Sequence, residues 1–95
     1  MSDVTIKWHN NKELPKLTTY KKWNETAEYW NSDLLLIKFD EGIVIGTYEK
    51  AKYTDDEPSE GEYFDYVTYP DGDADTAEAD EIIAWAYLEE EQEHE

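Results

Sequence analysis

Apolar residues along this chain come in short bursts separated by polar, turn-forming stretches. The most apolar burst is Leu34-Leu35-Leu36-Ile37-Lys38-Phe39. Its length and continuity fit a strand buried on both faces. Asp40-Glu41-Gly42 is a turn signal, and the β-rich run Ile43-Val44-Ile45-Gly46-Thr47-Tyr48 follows. Two such runs around a short Gly-containing connection predict a hairpin. A polar connection from Thr54 to Gly61 leads into Tyr63-Phe64-Asp65-Tyr66-Val67-Thr68-Tyr69. As a strand, this run puts Tyr63, Asp65, Val67 and Tyr69 on one face and Phe64, Tyr66 and Thr68 on the other. Pro70-Asp71-Gly72-Asp73 is a strong turn. Thr76 to Glu81 reads as one helical turn or as loop, and Ile82 to Leu88 is the last apolar run.

The N-terminal part is less regular. Val4-Thr5-Ile6-Lys7-Trp8 alternates apolar and polar residues, which fits a short strand or an extended arm packed through Trp8. His9-Asn10-Asn11 breaks that pattern, and Pro15 biases Leu14 away from helix. Tyr20, Trp23, Ala27 and Trp30 then fall at i, i+3, i+7 and i+10, one face of a helix. Thr18 or Thr19 is placed to cap it and Asn31-Ser32 to end it. An aromatic-rich strand or loop is the competing reading, and the spacing favours the helix. The expected fold is therefore α+β: a small antiparallel sheet of about four strands (34–39, 43–53, 62–69, 82–88) with one N-terminal helix (19–31). Residues 1–88 are expected to form one domain, and 89–95 an acidic, disordered tail.

Composition sharpens this picture. With 39% hydrophobic and 15% aromatic residues, the core must be economical and built from rings. Trp85, between two alanines, is the expected anchor. That aromatic content argues against wholesale disorder. The chain has no cysteine, which excludes disulfides and thiolate metal sites. No signal-peptide pattern and no apolar run near ~20 residues is present, so the expected location is the cytoplasm, with no membrane partner.

Charge changes the picture most. The net charge is −17. All eight basic residues are lysines, the last being Lys52, and residues 1–52 balance them with eight acids. Residues 53–95 hold the other seventeen of the twenty-five acids and no lysine or arginine. Direct nucleic-acid binding is disfavoured, because phosphates would be repelled. A one-sided acidic surface instead points to a basic partner.

Trp8 with Leu14-Pro15, the run Leu34 to Ile37, Gly42, Tyr48, the aromatic segment at Tyr63-Phe64 and the closing Ile82-Ile83-Ala84-Trp85 follow one another in a familiar order. This resembles the small phage and prophage proteins of the domain-of-unknown-function 551 family. Residues 16–33 look like an insertion relative to that family, and Ala86-Tyr87-Leu88-Glu89-Glu90 replaces its proline-rich ending. The resemblance implies phage or mobile-element origin, hence the cytoplasm of a host cell, and a small α+β or β fold. It implies no catalytic residues.

Catalytic chemistry finds little to work with. His9 lies in a turn-like stretch and His94 is the penultimate residue, so a base for nucleophilic catalysis is scarce. With twenty-five acids, a carboxylate pair at any chosen spacing carries no information. The protein is expected not to be an enzyme and to need no cofactor. Asp71, Asp73 and Asp75 match the first three ligand positions of an EF-hand loop, but Thr76 stands where glycine is needed and Ile82 where a bidentate glutamate is needed. They are candidates for weak calcium binding only, and a plain acidic turn is the simpler reading. The candidate partner-binding residues are Asp55, Asp56, Glu57, Glu60, Glu62, Asp65, Asp71, Asp73, Asp75, Glu78 and Asp80, with Tyr63, Tyr66 and Tyr69 as apolar anchors. Duplex DNA carries one charge per ~1.7 Å, so seventeen charges correspond to roughly 29 Å of duplex. The leading expectation is a DNA mimic that inhibits a basic, nucleic-acid-binding host defence protein such as a restriction or CRISPR effector. The alternative is an accessory or structural phage protein whose acidity serves solubility.

Overall fold

The computed structural model describes residues 6–68 and 71–88. Tyr69 and the expected tail 89–95 lie outside the described residues. The fold is nearly all-β, with 62% of the described residues in strands and 4% helical, in one curled antiparallel sheet. This overturns the α+β expectation. In chain order the strands are β1 His9–Asn10, β2 Leu17–Asn24, β3 Ala27–Ser32, β4 Leu35–Phe39, β5 Gly42–Tyr53, β6 Ser59–Val67, β7 Ala74–Ala77 and β8 Ala84–Tyr87. One turn of 3-10 helix, Ala79–Glu81, joins β7 to β8.

The segment expected to be a helix over 19–31 is the β2–β3 hairpin. Tyr20 and Trp30, placed on one helical face by their spacing, are instead register partners across the hairpin, with ring centroids 5.2 Å apart. Two things defeat the helix. Thr, Tyr and Trp favour a pleated surface, and β3 has a long partner in β5, from Ala27↔Tyr53 to Asn31↔Glu49. The Asn24 side chain makes the turn by accepting from the Thr26 N–H at 2.8 Å and its hydroxyl at 3.0 Å. Neither loop residue has positive φ, which excludes the primed turns usual in two-residue hairpins. A register shift between Lys22 and Asn24 takes up the mismatch in twist.

β5 is the spine of the sheet. One of its edges is shared, with β4 pairing along Gly42–Gly46 and β3 along Glu49–Tyr53. Its other edge carries β6, from Tyr53↔Ser59 to Gly46↔Tyr66, and β7 adds beyond β6. Where β3 hands over to β4, the Tyr48 N–H would lose its ladder partner. The buried Ser32 hydroxyl accepts it at 2.9 Å and donates onward to the Asp33 carbonyl at 2.7 Å. Gly46 lets β6 approach: a Cβ there would collide with the Asp65 carbonyl and come within 2.8 Å of Tyr66 Cβ. β8 pairs with β4 on the far side of the spine, and β1 with β8.

The core lies inside the curl. Leu35, Ile37, Tyr48, Phe64, Ala77, Ile82 and Trp85 are buried together, with Phe39, Val44, Tyr66 and Tyr87 packed against them. The Trp85 indole N–H donates to the Glu13 carbonyl at 2.7 Å, and the His9 ring stacks on the indole at 4.3 Å. The continuous apolar run at β4 suggested burial on both faces, but only one face is covered. Leu35 and Ile37 are fully buried, whereas Leu34 is 51% exposed on the outer face.

Candidate functional site

Pairing β6 with β5 folds the acidic half of the chain against its lysine-bearing half. Glu60 and Glu62 stand opposite Lys52 and Lys50. Lys50 Nζ reaches Glu60 at 3.0 Å and lies 5.2 Å from the Trp30 ring centroid. The hydrogen bond between them holds the Glu60 carboxyl below, and the Lys50 ammonium above, its ordinary range. Lys22, Glu28, Lys52 and Glu60 follow one another across β2, β3, β5 and β6, alternating in sign. Glu62 also accepts from the Tyr48 hydroxyl at 2.8 Å. Burial first, and Glu62 second, push that phenol upward. These two candidate acids are compensated locally.

The other candidates are not. Asp55, Asp56 and Glu57 are exposed in the loop between β5 and β6. Asp71 and Asp73 occupy the turn between β6 and β7, closed by the Thr68 N–H donating to the Asp73 carbonyl at 2.8 Å. Asp75, on β7, accepts from the Thr76 N–H at 2.8 Å and the Tyr66 hydroxyl at 3.4 Å. Glu78 caps the 3-10 turn and Asp80 lies within it, and the Glu81 carboxylate accepts from the Glu78 N–H at 2.8 Å. Glu62, Glu78 and Glu81 line one open cleft of about 430 Å³. The Tyr66 phenol is raised by burial and then by Asp75, Glu81 and Glu41, so carboxylates from three segments gather around it. Lys50 and Glu60 form an ion pair, and His9 Nδ1 lies 3.0 Å from a Glu13 carboxylate oxygen. No lysine lies on β6, on β7 or in the turn between them. Among the described residues, no three acidic or histidine side chains form a group able to hold a metal ion, and Asp71, Asp73 and Asp75 do not converge.

The tyrosine anchors are separated. Tyr66 packs on Phe39 on the core face, with centroids 5.1 Å apart. Tyr63 lies on the outer face, in register with Glu49. There it belongs to a cluster that sequence reasoning missed. Glu49 is raised by burial and by Asp65, partly offset by hydrogen bonds from the Tyr63 and Asn31 side chains. Burial, then Glu49, push the Tyr63 phenol up to about 12. The Tyr29 and Tyr53 hydroxyls meet at 3.1 Å nearby. The only signal for this cluster was strand alternation on β3 and β5, which a helical reading of residues 19–31 concealed.

No protein-family model matches the chain, and no curated protein or solved structure matches it. Among the described residues, no helix is long and apolar enough to cross a membrane.

Proposed function

We propose that this protein is a phage-type binding protein that docks its acidic β6–β7 flank on the basic face of a nucleic-acid-binding host protein. It would occupy the place of nucleic acid there and so inhibit a defence effector of the restriction or CRISPR kind. The observation that carries this reading is the ungrouped charge: Asp55, Asp56, Glu57, Asp71, Asp73, Asp75, Glu78 and Asp80 surround one pair of strands without a lysine among them. At ~3.4 Å per residue, β6 extends roughly 30 Å, with acids beyond both ends. Steering by the field of these carboxylates makes association fast and salt-sensitive. The acids facing Lys50 and Lys52 set register and contribute little to docking.

The test is a pull-down from bacterial lysate at low salt, with elution by duplex DNA. Recovery of a basic nucleic-acid-binding protein that duplex DNA displaces is the expected result. Recovery of none, or of proteins that DNA cannot displace, contradicts the proposal and favours acidity that serves solubility.

A further inference from the structure

The outer face of the sheet carries an apolar groove that the core does not use. Leu36 and Ile45 are register partners across β4 and β5, and Val67 and Ala74 across β6 and β7. With Leu34 and Ile43 they line an open groove of about 790 Å³. Leu34, Ile43 and Ile45 are each 51% exposed and Val67 55%. Four half-exposed aliphatic side chains in one place exceed the scattered surface apolars of an ordinary monomer. A strand face needing only solubility would alternate polar residues here.

The surroundings identify the occupant. Asp65 lines the groove itself. Asp33 precedes Leu34, Asp40 and Glu41 form the turn before Gly42-Ile43, and Asp73 precedes Ala74. Lys38, opposite Ile43, is engaged over the Trp8 ring at 5.6 Å. An apolar floor with the Asp65 carboxylate in its lining and no cation there repels an anionic lipid surface. A second copy would set another carboxylate-bearing groove against the first, with no cation in either lining to pair with it. The groove complements a segment with apolar side chains at its centre and Lys or Arg at its margins.

We infer that this groove is the anchoring centre of the interface, taking an amphipathic basic segment of the partner protein, with the acidic flank as its charged surround. The inference rests on the proposed acidic docking surface and adds the part that slows dissociation. Buried apolar anchors dominate interface energies, whereas rim charges act mainly on encounter.

The full chain is titrated with three synthetic peptides of equal length, one alternating Leu and Lys, one Ser and Lys, and one Leu and Glu. A variant carrying Ile43→Thr and Ile45→Thr keeps β-branched residues in the strand, and its melting curve checks the fold. Ile45→Ser alone serves as a second variant. The Leu/Lys peptide should bind at least about tenfold more tightly than the Ser/Lys peptide, and the double substitution should remove most of that advantage. The Leu/Glu peptide should not bind. Equal binding of the two basic peptides, or no effect of either variant, overturns the groove while leaving the acidic surface standing. Failure of both basic peptides at about 50 mM salt overturns both. Binding to phosphatidylserine vesicles, or a dimer abolished by the double substitution, assigns the groove to a membrane or a second copy and overturns the inference.

Discussion

The spine strand β5 separates two flanks of unlike electrostatics. On one side, β2 and β3 with their turn carry Lys21, Lys22, Glu25 and Glu28, and their charges cancel. On the other, β6 and β7 with their turn carry Glu60, Glu62, Asp65, Asp71, Asp73 and Asp75, and no cation. Both flanks share the same partner, so the difference is not one of fold. It is a difference of register. Glu60 and Glu62 land opposite lysines of β5, whereas Asp65 lands opposite Thr47 and Thr76, and Asp75 opposite Tyr66. The count of acids overstates the free charge, and pairing decides which acids remain available.

The largest expected effect destroys the comparison. Phe64 is fully buried and joins β6 to Tyr48 and the core. Phe64→Ala should cost about 3–5 kcal/mol, measured by urea unfolding. It should expose the β6 and β7 amides to hydrogen exchange before those of the β4–β8 pair.

The next effect sharpens the comparison. Replacing Asp55, Asp73, Asp75, Glu78 and Asp80 by their amides should weaken partner binding by at least about tenfold and flatten its salt dependence. It should raise the melting temperature slightly, by relieving self-repulsion. The same treatment of Glu25 and Glu28 should leave binding within about twofold.

A third effect lies on the spine strand between the flanks and depends on pH. The folded state raises the Glu49 carboxyl, so it binds a proton more readily than the unfolded chain. Stability associated with this group is therefore greatest below its ordinary pKa and declines as pH rises through the window above 4.5. Glu49→Gln should raise the melting temperature at pH 7 and leave it nearly unchanged at pH 4. Equal shifts at both pH values would contradict the assigned cause.

The smallest effect is expected on the other flank. Trp23 is 63% exposed on β2, with the Lys21 ammonium 5.1 Å from its ring centroid. Trp23→Ser should change stability by no more than about 0.5 kcal/mol and leave docking of the acidic flank unaltered, as calorimetry and pull-down would check.

Parts of this architecture were legible in the amino-acid pattern, and the reasons differ by element. The β4–β5 hairpin was readable because two β-rich runs flank Asp40-Glu41-Gly42, and Gly42 adopts a φ of 155°. The β2–β3 hairpin was not. Tyr20, Trp23, Ala27 and Trp30 fit a helical period by coincidence, and the long-range partner that makes β3 a strand is invisible in a local window. The exposed outer groove was hidden for a related reason. A continuous apolar run cannot say which of its faces will be covered. The one-sided charge was visible from residue counts alone. Its partial cancellation by Lys50 and Lys52 depends on register, which the residue counts do not contain.

The most direct test sets three forms of the full chain side by side on the same bacterial lysate at about 50 mM salt. They are the unaltered protein, the Glu60→Gln and Glu62→Gln double variant, and the variant with amides at Asp55, Asp73, Asp75, Glu78 and Asp80. The quantity measured is the retained nucleic-acid-binding protein that duplex DNA releases. The first two forms should retain it equally and the third should lose it. Equal retention by all three, or loss only in the lysine-facing variant, would contradict the claim that the uncompensated β6–β7 flank is the docking surface.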